Sequence, residues 1–253
     1  MPIERRHCRM RAYGRLERFL APRRRGGAFA VAFDGSPALK DPIESIGIPH
    51  VEIGRVAVDG RDASLTRRLR GGEAVDVFPR LVQPVGDPPR FVLDVHLGRL
   101  AGYLRLLGID TAYRNDADDD ALVARGIAEG RVLLTRDTGL LKRARVGPAA
   151  FVYATAPLQQ LAEVNARFAL DTPFAPFTRC AHCNGVVAPT ELADVAEAVP
   201  AGVRRSATRF SRCSDCRRVY WDGSHGIRLH ERFATAGIVL PSEYFDPTDI
   251  RNA

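Results

Sequence analysis

Two Cys-x-x-Cys pairs, Cys180-Ala-His-Cys183 and Cys213-Ser-Asp-Cys216, constrain this 253-residue chain more than any other feature. Each pair forms a tight knuckle, and two knuckles together offer four thiolates in the tetrahedral set that a structural Zn²⁺ takes. All four positions are then filled by protein, so no water is left for chemistry. A zinc ribbon is therefore expected in the C-terminal third. The fifth cysteine, Cys8, stands alone. The residues after Met1-Pro2-Ile3-Glu4-Arg5-Arg6 do not form the apolar core of a secretory leader, so a cytoplasmic chain is expected. There, paired cysteines mean metal rather than disulfides. The longest apolar run is about six residues, against the ~20 a membrane helix needs, so no membrane partner is expected.

Upstream of the cysteines the pattern changes twice. Residues 1–83 read as a small α+β unit. Cys8, Met10 and Ala12 alternate with His7, Arg9, Arg11 and Tyr13, the mark of a half-buried strand. Ala28 to Phe33 predicts a second strand. A short helix is expected over Pro37 to Ile46, with Ser36 as its cap and Gly47 as its stop, and strands over Arg55 to Val58 and Ala74 to Phe78. Strand, strand, helix and further strands is a β-grasp order. Residues 84–90, rich in Pro and Gly, read as a linker.

Residues 91–170 alternate between the two periods. Apolar strands are expected over Phe91 to Val95, Ile109 to Tyr113, Arg131 to Thr135 and Phe151 to Tyr153. Helical stretches separate and follow them, over Leu97 to Leu107, Asp119 to Glu129, from Gly139, and from Pro157 through Phe168. Such alternation predicts an α/β domain with a parallel sheet. Residues 171–253 form the zinc ribbon and a tail.

Ligands of open parallel sheets gather at the carboxyl ends of the strands. Here Asp94 lies near the end of the first strand, the acidic run Asp116, Asp118, Asp119 and Asp120 follows the second, and Asp137 follows the third. Clustered carboxylates repel unless a cation neutralises them, and hard oxygen ligands suit Mg²⁺ or Mn²⁺. Asp118 and Asp120 read as helix caps and Asp116 as a solvated turn. Asp94 lies inside Phe-Val-Leu-Asp-Val, where burial without a partner is costly. No GxGxxG, GxxxxGK[ST] or GxSxG is present, so no nucleotide or other small-molecule cofactor is expected.

The segment Phe91-Val-Leu-Asp-Val-His-Leu-Gly-Arg-Leu-Ala-Gly-Tyr-Leu-Arg-Leu-Leu-Gly-Ile-Asp-Thr111, with Asp119-x-x-Leu122 and Gly130-Arg-Val-Leu-Leu-Thr-Arg-Asp137, resembles the Mut-seven C-terminal ribonuclease family, a PIN-like group. The resemblance covers residues 91–225 and implies a metal-dependent nuclease acting on RNA, with Asp94, Asp119 and Asp137 as the acidic Mg²⁺ or Mn²⁺ ligands. PIN sites often carry a fourth acid soon after the third. Here none follows Asp137 until Glu163. Val56-Ala-Val-Asp-Gly60 and Gly71-Gly-Glu-Ala-Val-Asp-Val-Phe78 are similar to the ubiquitin-like domain that precedes this nuclease in some bacterial members, and to sulfur carriers. Gly71-Gly72 is internal, so carrier chemistry is not expected.

The charge bears on the partner. The chain's formal net charge is +7. Residues 1–90 hold 17 Lys and Arg against 11 Asp and Glu, whereas residues 169–253 hold 10 of each. A positive field confined to one third fits a polyanion such as RNA. Arg99, Arg136, Trp221 and His225 are the candidate RNA contacts. The expected function is a ribonuclease. The alternative is a catalytically weak RNA-binding adaptor built around a structural zinc.

Overall fold

The computed structural model describes residues 5–143, 147–170 and 174–240, without the side chains of residues 224, 225 and 227. The chain forms two compact units. One comprises Met1–Gln83 and Thr135–Phe151, the other Pro84–Leu134 and Val152–Ala253. Among the described residues no helix is long and apolar enough to cross a membrane.

In the first unit, strands β1 (Arg5–Ala12), β2 (Phe29–Asp34), β3 (Ile53–Val58), β4 (Arg61–Asp62) and β5 (Ala74–Pro79) form one sheet in the order β2-β1-β5-β3-β4. β1 runs parallel to β5, and the other pairs are antiparallel. With helix α1 (Lys40–Ser45) this is the β-grasp arrangement expected from the sequence. Period-two burial decides the faces: Cys8, Met10 and Ala12 of β1 point into the core with Val31, Val56, Val75 and Val77, while Arg9 and Arg11 stay in water. Cys8 is a core residue, and burial pushes its thiol up to about 11. Helix α1 starts later than expected. Leu39 stands at its N-cap position, and the Ser36 hydroxyl donates instead to the Leu69 carbonyl at 2.6 Å. Pro42 in the first turn leaves room for little more helix than this.

The central segment continues with β6 (Arg90–Leu93), α2 (Gly98–Leu106), β7 (Asp110–Tyr113), α3 (Asp119–Ala128), β8 (Val132–Thr135), α4 (Thr138–Leu141), β9 (Ala149–Phe151) and α5 (Pro157–Phe168). In the second unit β6 lies between β7 and β8, parallel to both, with Phe91 opposite Thr111 and Val132. All four residues of β8 and Phe91 to Leu93 of β6 are buried, as strands covered on both faces require. The last strand was expected at Phe151 to Tyr153. It lies two residues earlier, and Tyr153 and Ala154 instead give their backbone N–H groups to the Glu163 carboxylate.

An ion network fixes the amino ends of these strands. Arg131, nearly buried, holds Asp110 through two nitrogens (2.7 and 3.1 Å), Glu129 through a third (2.5 Å), and the Phe91 carbonyl at 3.2 Å. Burial opposes ionisation of Asp110, but Arg131 and Asn184 outweigh it and hold the carboxyl near about 2. That is below its unfolded value, so the stabilisation is complete above about pH 4 and is lost as pH falls toward 2. Asp110→Asn should cost about 2 kcal/mol at neutral pH and flatten the pH dependence of unfolding below pH 4. Urea melts at pH 7 and pH 3 check this; parallel losses at both would refute it.

The cysteine region folds as an antiparallel ribbon, β10 (Val187–Thr190), β11 (Phe210–Cys213) and β12 (Val219–Trp221), in that order. Two short helices, α6 (Leu192–Val195) and α7 (Ala201–Ser206), bridge β10 and β11. A longer helix, α8 (Ser224–Thr235), follows and buries Leu229 and Phe233.

Candidate metal centre and nuclease site

The two knuckles converge. The four Sγ atoms of Cys180, Cys183, Cys213 and Cys216 all lie within 4.8 Å of one another. Cys180 and Cys216 are 3.6 Å apart, and Cys183 and Cys213 3.5 Å. Four sulfurs each ~2.3 Å from one tetrahedral ion sit nearly that far apart, so the set fits such a metal. Close approach demands the local sequence. A Cβ on Gly185 would meet the Cys213 sulfur at 2.9 Å. Asn184 and Arg217, each following the second cysteine of a pair, take positive φ values of 72° and 61°. Burial disfavours ionisation of Cys180, yet the Tyr220 hydroxyl, 3.0 Å away, and the amides of Cys183 and His182 bring it down to about 6. Burial pushes Cys183 the other way, to about 12. Sulfurs this crowded cannot all ionise unless a cation balances them.

The knuckle is bolted to the parallel sheet by polar groups. Arg105 of α2 is 3% exposed. Its Nε donates to the Thr111 carbonyl at 2.9 Å, and one terminal nitrogen donates to the carbonyls of Ala181 (3.1 Å) and His182 (2.8 Å). Asn184 donates to Asp110 at 2.8 Å and accepts from the Thr111 amide at 3.0 Å. Gly108, at φ 85°, passes so close to Ala175 that a Cβ would meet that carbonyl oxygen at 2.2 Å. None of this network was expected from the sequence. Its one local signal is an arginine inside the apolar run Tyr103-Leu-Arg-Leu-Leu107. His182, inside the first knuckle, is exposed.

Asp94, Asp118 and Asp137 each cap a helical turn. Asp94, 4% exposed, follows β6; its Oδ1 accepts the His96 N–H at 2.8 Å, and its own N–H donates to the Leu134 carbonyl at 3.1 Å. Asp119 is the first residue of α3 and half-buried, while Asp118 is the N-cap, accepting from Ala121 at 2.7 Å. Asp137 lies in the first unit, two residues past β8, exposed, with Oδ1 accepting the Gly139 N–H at 2.6 Å. Asp116 is held by the fork of Arg114 at 3.0 and 2.9 Å on the surface. Among the described residues the four cysteines are the one set of three or more ligating side chains whose donor atoms converge.

Of the candidate RNA contacts, Arg99 is exposed on α2 and Arg136 half-buried beside Asp137. Trp221 is 43% exposed at the end of β12, whereas Tyr220 packs on the cysteine cluster. The His225 side chain lies outside the described residues.

Comparison with known families decides the identity. Residues 89–233 match the Mut7-C RNAse domain. The chain belongs to the Mut7-C ribonuclease family. Residues 6–84 match the Mut7-C ubiquitin domain, so the β-grasp unit is the ubiquitin-like domain of that family. Comparisons with curated proteins and with solved structures give no match. In this Mut7-C chain the nuclease match runs through the parallel sheet, both cysteine pairs and most of α8.

Proposed function

We propose that the protein is a metal-dependent ribonuclease in which Asp94, Asp119 and Asp137 hold Mg²⁺ or Mn²⁺, and in which the four cysteines hold a structural Zn²⁺. The observation that carries this reading is Asp94: a carboxylate 4% exposed at the carboxyl end of the central parallel strand, in a chain of a ribonuclease family. Divalent ions supply charge stabilisation for the phosphodiester and activation of the attacking water. The protein's part is to present fixed oxygens. Asp94 is oriented by its bond from the His96 amide, and Asp137 by its bond from Gly139. Each bond engages Oδ1 with a backbone donor, which fixes the rotamer. The soft four-sulfur set suits Zn²⁺ and has no open position, so it supports the fold rather than the reaction.

A second reading has one specific observation behind it. Glu163, the next acid after Asp137, accepts the amides of Tyr153 (3.1 Å) and Ala154 (2.9 Å) and is engaged as a structural group. A site of three acids fits a slow nuclease or an RNA-binding adaptor. One titration separates the two. A labelled single-stranded RNA incubated with purified protein should be cut with Mg²⁺ or Mn²⁺ and left intact after these are withdrawn. Ca²⁺ should support cutting poorly, because its looser coordination does not enforce the geometry. Binding without cleavage under any of these ions, over a panel of RNAs, establishes the adaptor instead.

A further inference from the structure

The stretch between β1 and β2 is strongly basic. Residues 14–25 carry five arginines, Arg15, Arg18, Arg23, Arg24 and Arg25, against one acid, Glu17. Their backbone is pinned. It forms two 3₁₀ turns, Gly14–Phe19 and Pro22–Arg24, and drives Leu16 and Leu20 into the core. Glu17 accepts the Gly26 amide at 3.1 Å and so closes the loop. Arg18, Arg23 and Arg25 are exposed. The described contacts of Arg24 and Arg25 are the Phe29 ring (5.3 Å) and the Leu20 carbonyl (3.0 Å); neither is a carboxylate, and Arg23 makes none.

The same unit holds the segment Thr135–Phe151. Phe19 meets Phe151 edge to face at 5.1 Å, and the Phe151 amide donates to fully buried Glu52 at 2.7 Å. β9, which ends at Phe151, packs on α4, whose N-cap is Asp137. Lys142 and Arg143 follow α4 and are half-buried. Through Phe19, the loop that bears the arginine run thus packs against the segment that carries one proposed metal ligand.

We propose that this arginine segment of the ubiquitin-like unit is a phosphate-binding track for a single strand of RNA. The partner follows from charge. A basic run with Arg18, Arg23 and Arg25 exposed, beside one acid engaged with the Gly26 amide, favours a polyanion. Backbone ordering paid in advance by folding lowers the cost of binding. The proposal rests on the ribonuclease reading for the choice of RNA, but it concerns grip rather than cutting.

The test uses the full chain and a fluorescein-labelled 12-nucleotide oligouridylate in buffer without added divalent ion. Arg18→Gln/Arg23→Gln/Arg25→Gln removes three charges while keeping hydrogen-bonding amides. Affinity near 0.1 M salt should fall about tenfold or more, and the slope of log K against log salt should shrink by roughly 2, since each single-strand phosphate contact contributes ~0.7. Arg23→Gln alone should shrink it by about 0.7 with an unchanged melting temperature, because its side chain makes no described contact. The control is Arg61→Gln/Arg67→Gln/Arg70→Gln, three exposed arginines of the same unit, the first on β4 and the others after it. It should change affinity less than threefold. Equal losses in the two triple variants, or an unchanged slope in the first, overturn the track. In cleavage assays the first triple should raise KM and spare kcat. If the parent cuts no RNA yet the slope shrinks as stated, the track stands and the ribonuclease reading fails; if cutting persists with KM unmoved, the reverse holds.

Discussion

Asp94→Asn should slow RNA cleavage on the order of a thousandfold while leaving the protein folded, its zinc content unchanged and its melting temperature within a degree or two. The two halves of that expectation have different causes. Removing one charged group from a site that stabilises a phosphodiester transition state costs at least ~10²–10³ in rate. Stability is spared because the cap of the 3₁₀ turn through the His96 amide survives the change, asparagine capping as well as aspartate. Asp94→Ala would lose the cap too, at about 1 kcal/mol, and so confuses the two effects. Asp137→Asn follows the same logic, since its Oδ1 bond from Gly139 survives in an amide. Asp116→Asn is the control. It breaks an exposed, solvent-screened fork to Arg114 and should leave cleavage near the parental rate. The measurement is single-turnover cleavage of a labelled RNA beside a thermal melt. An Asp94→Asn protein that cuts at the parental rate removes Asp94 from the chemistry.

The second large effect belongs to the cysteines. Cys183→Ser should reduce zinc from one ion per chain to a small fraction, as read by elemental analysis of protein purified without chelator. Zinc binding contributes on the order of 10 kcal/mol to folding of small four-ligand peptides, so the knuckles should loosen with it. The damage should not stop there. Arg105 depends on the carbonyls of Ala181 and His182, and Asp110 and the Thr111 amide depend on Asn184. A buried guanidinium deprived of two acceptors costs about 1–3 kcal/mol. Amide hydrogen exchange over residues 103–113 should therefore accelerate in Cys183→Ser, although residue 183 lies far along the chain. Retention of one zinc per chain, or unchanged protection over 103–113, would count against this linkage.

How much of this was legible in the residues depends on whether the signal is local. The strands β1, β5 and β8 and helix α5 follow from period and composition, because burial of one face writes itself into consecutive residues. The cysteine pairs predict a convergent set for the same reason: the spacing is the geometry. Segment 14–25 escaped, since Gly14, Pro22 and an arginine run carry no helical period even though two 3₁₀ turns form there. Helix α8 was missed although Leu229 and Phe233, four residues apart, share one buried face. The partnership of Glu52 with Phe151 could not be read at all. It joins residues 99 apart through one buried carboxylate, and nothing in Pro49-His-Val-Glu-Ile53 names its partner. The aspartates stand between these cases. Their places after strands were legible, but an aspartate that caps a turn and one that also binds a cation look alike in one sequence.

The return of residues 135–151 to the ubiquitin-like unit sets the order in which a ribosome can finish this protein. The first five strands emerge early, yet Phe19 and Glu52 must wait for Phe151 to leave the exit tunnel. Until then a buried carboxylate and an apolar edge lack a native neighbour, through the whole synthesis of β6 to β8. Arg105 waits in turn, over a shorter span, for Ala181 and His182. At ~5–20 residues per second these delays last several seconds each. Neither half of the chain is therefore a finished body when it is born, and a cut at the Pro-rich stretch near residue 84 would separate two pieces that complete each other.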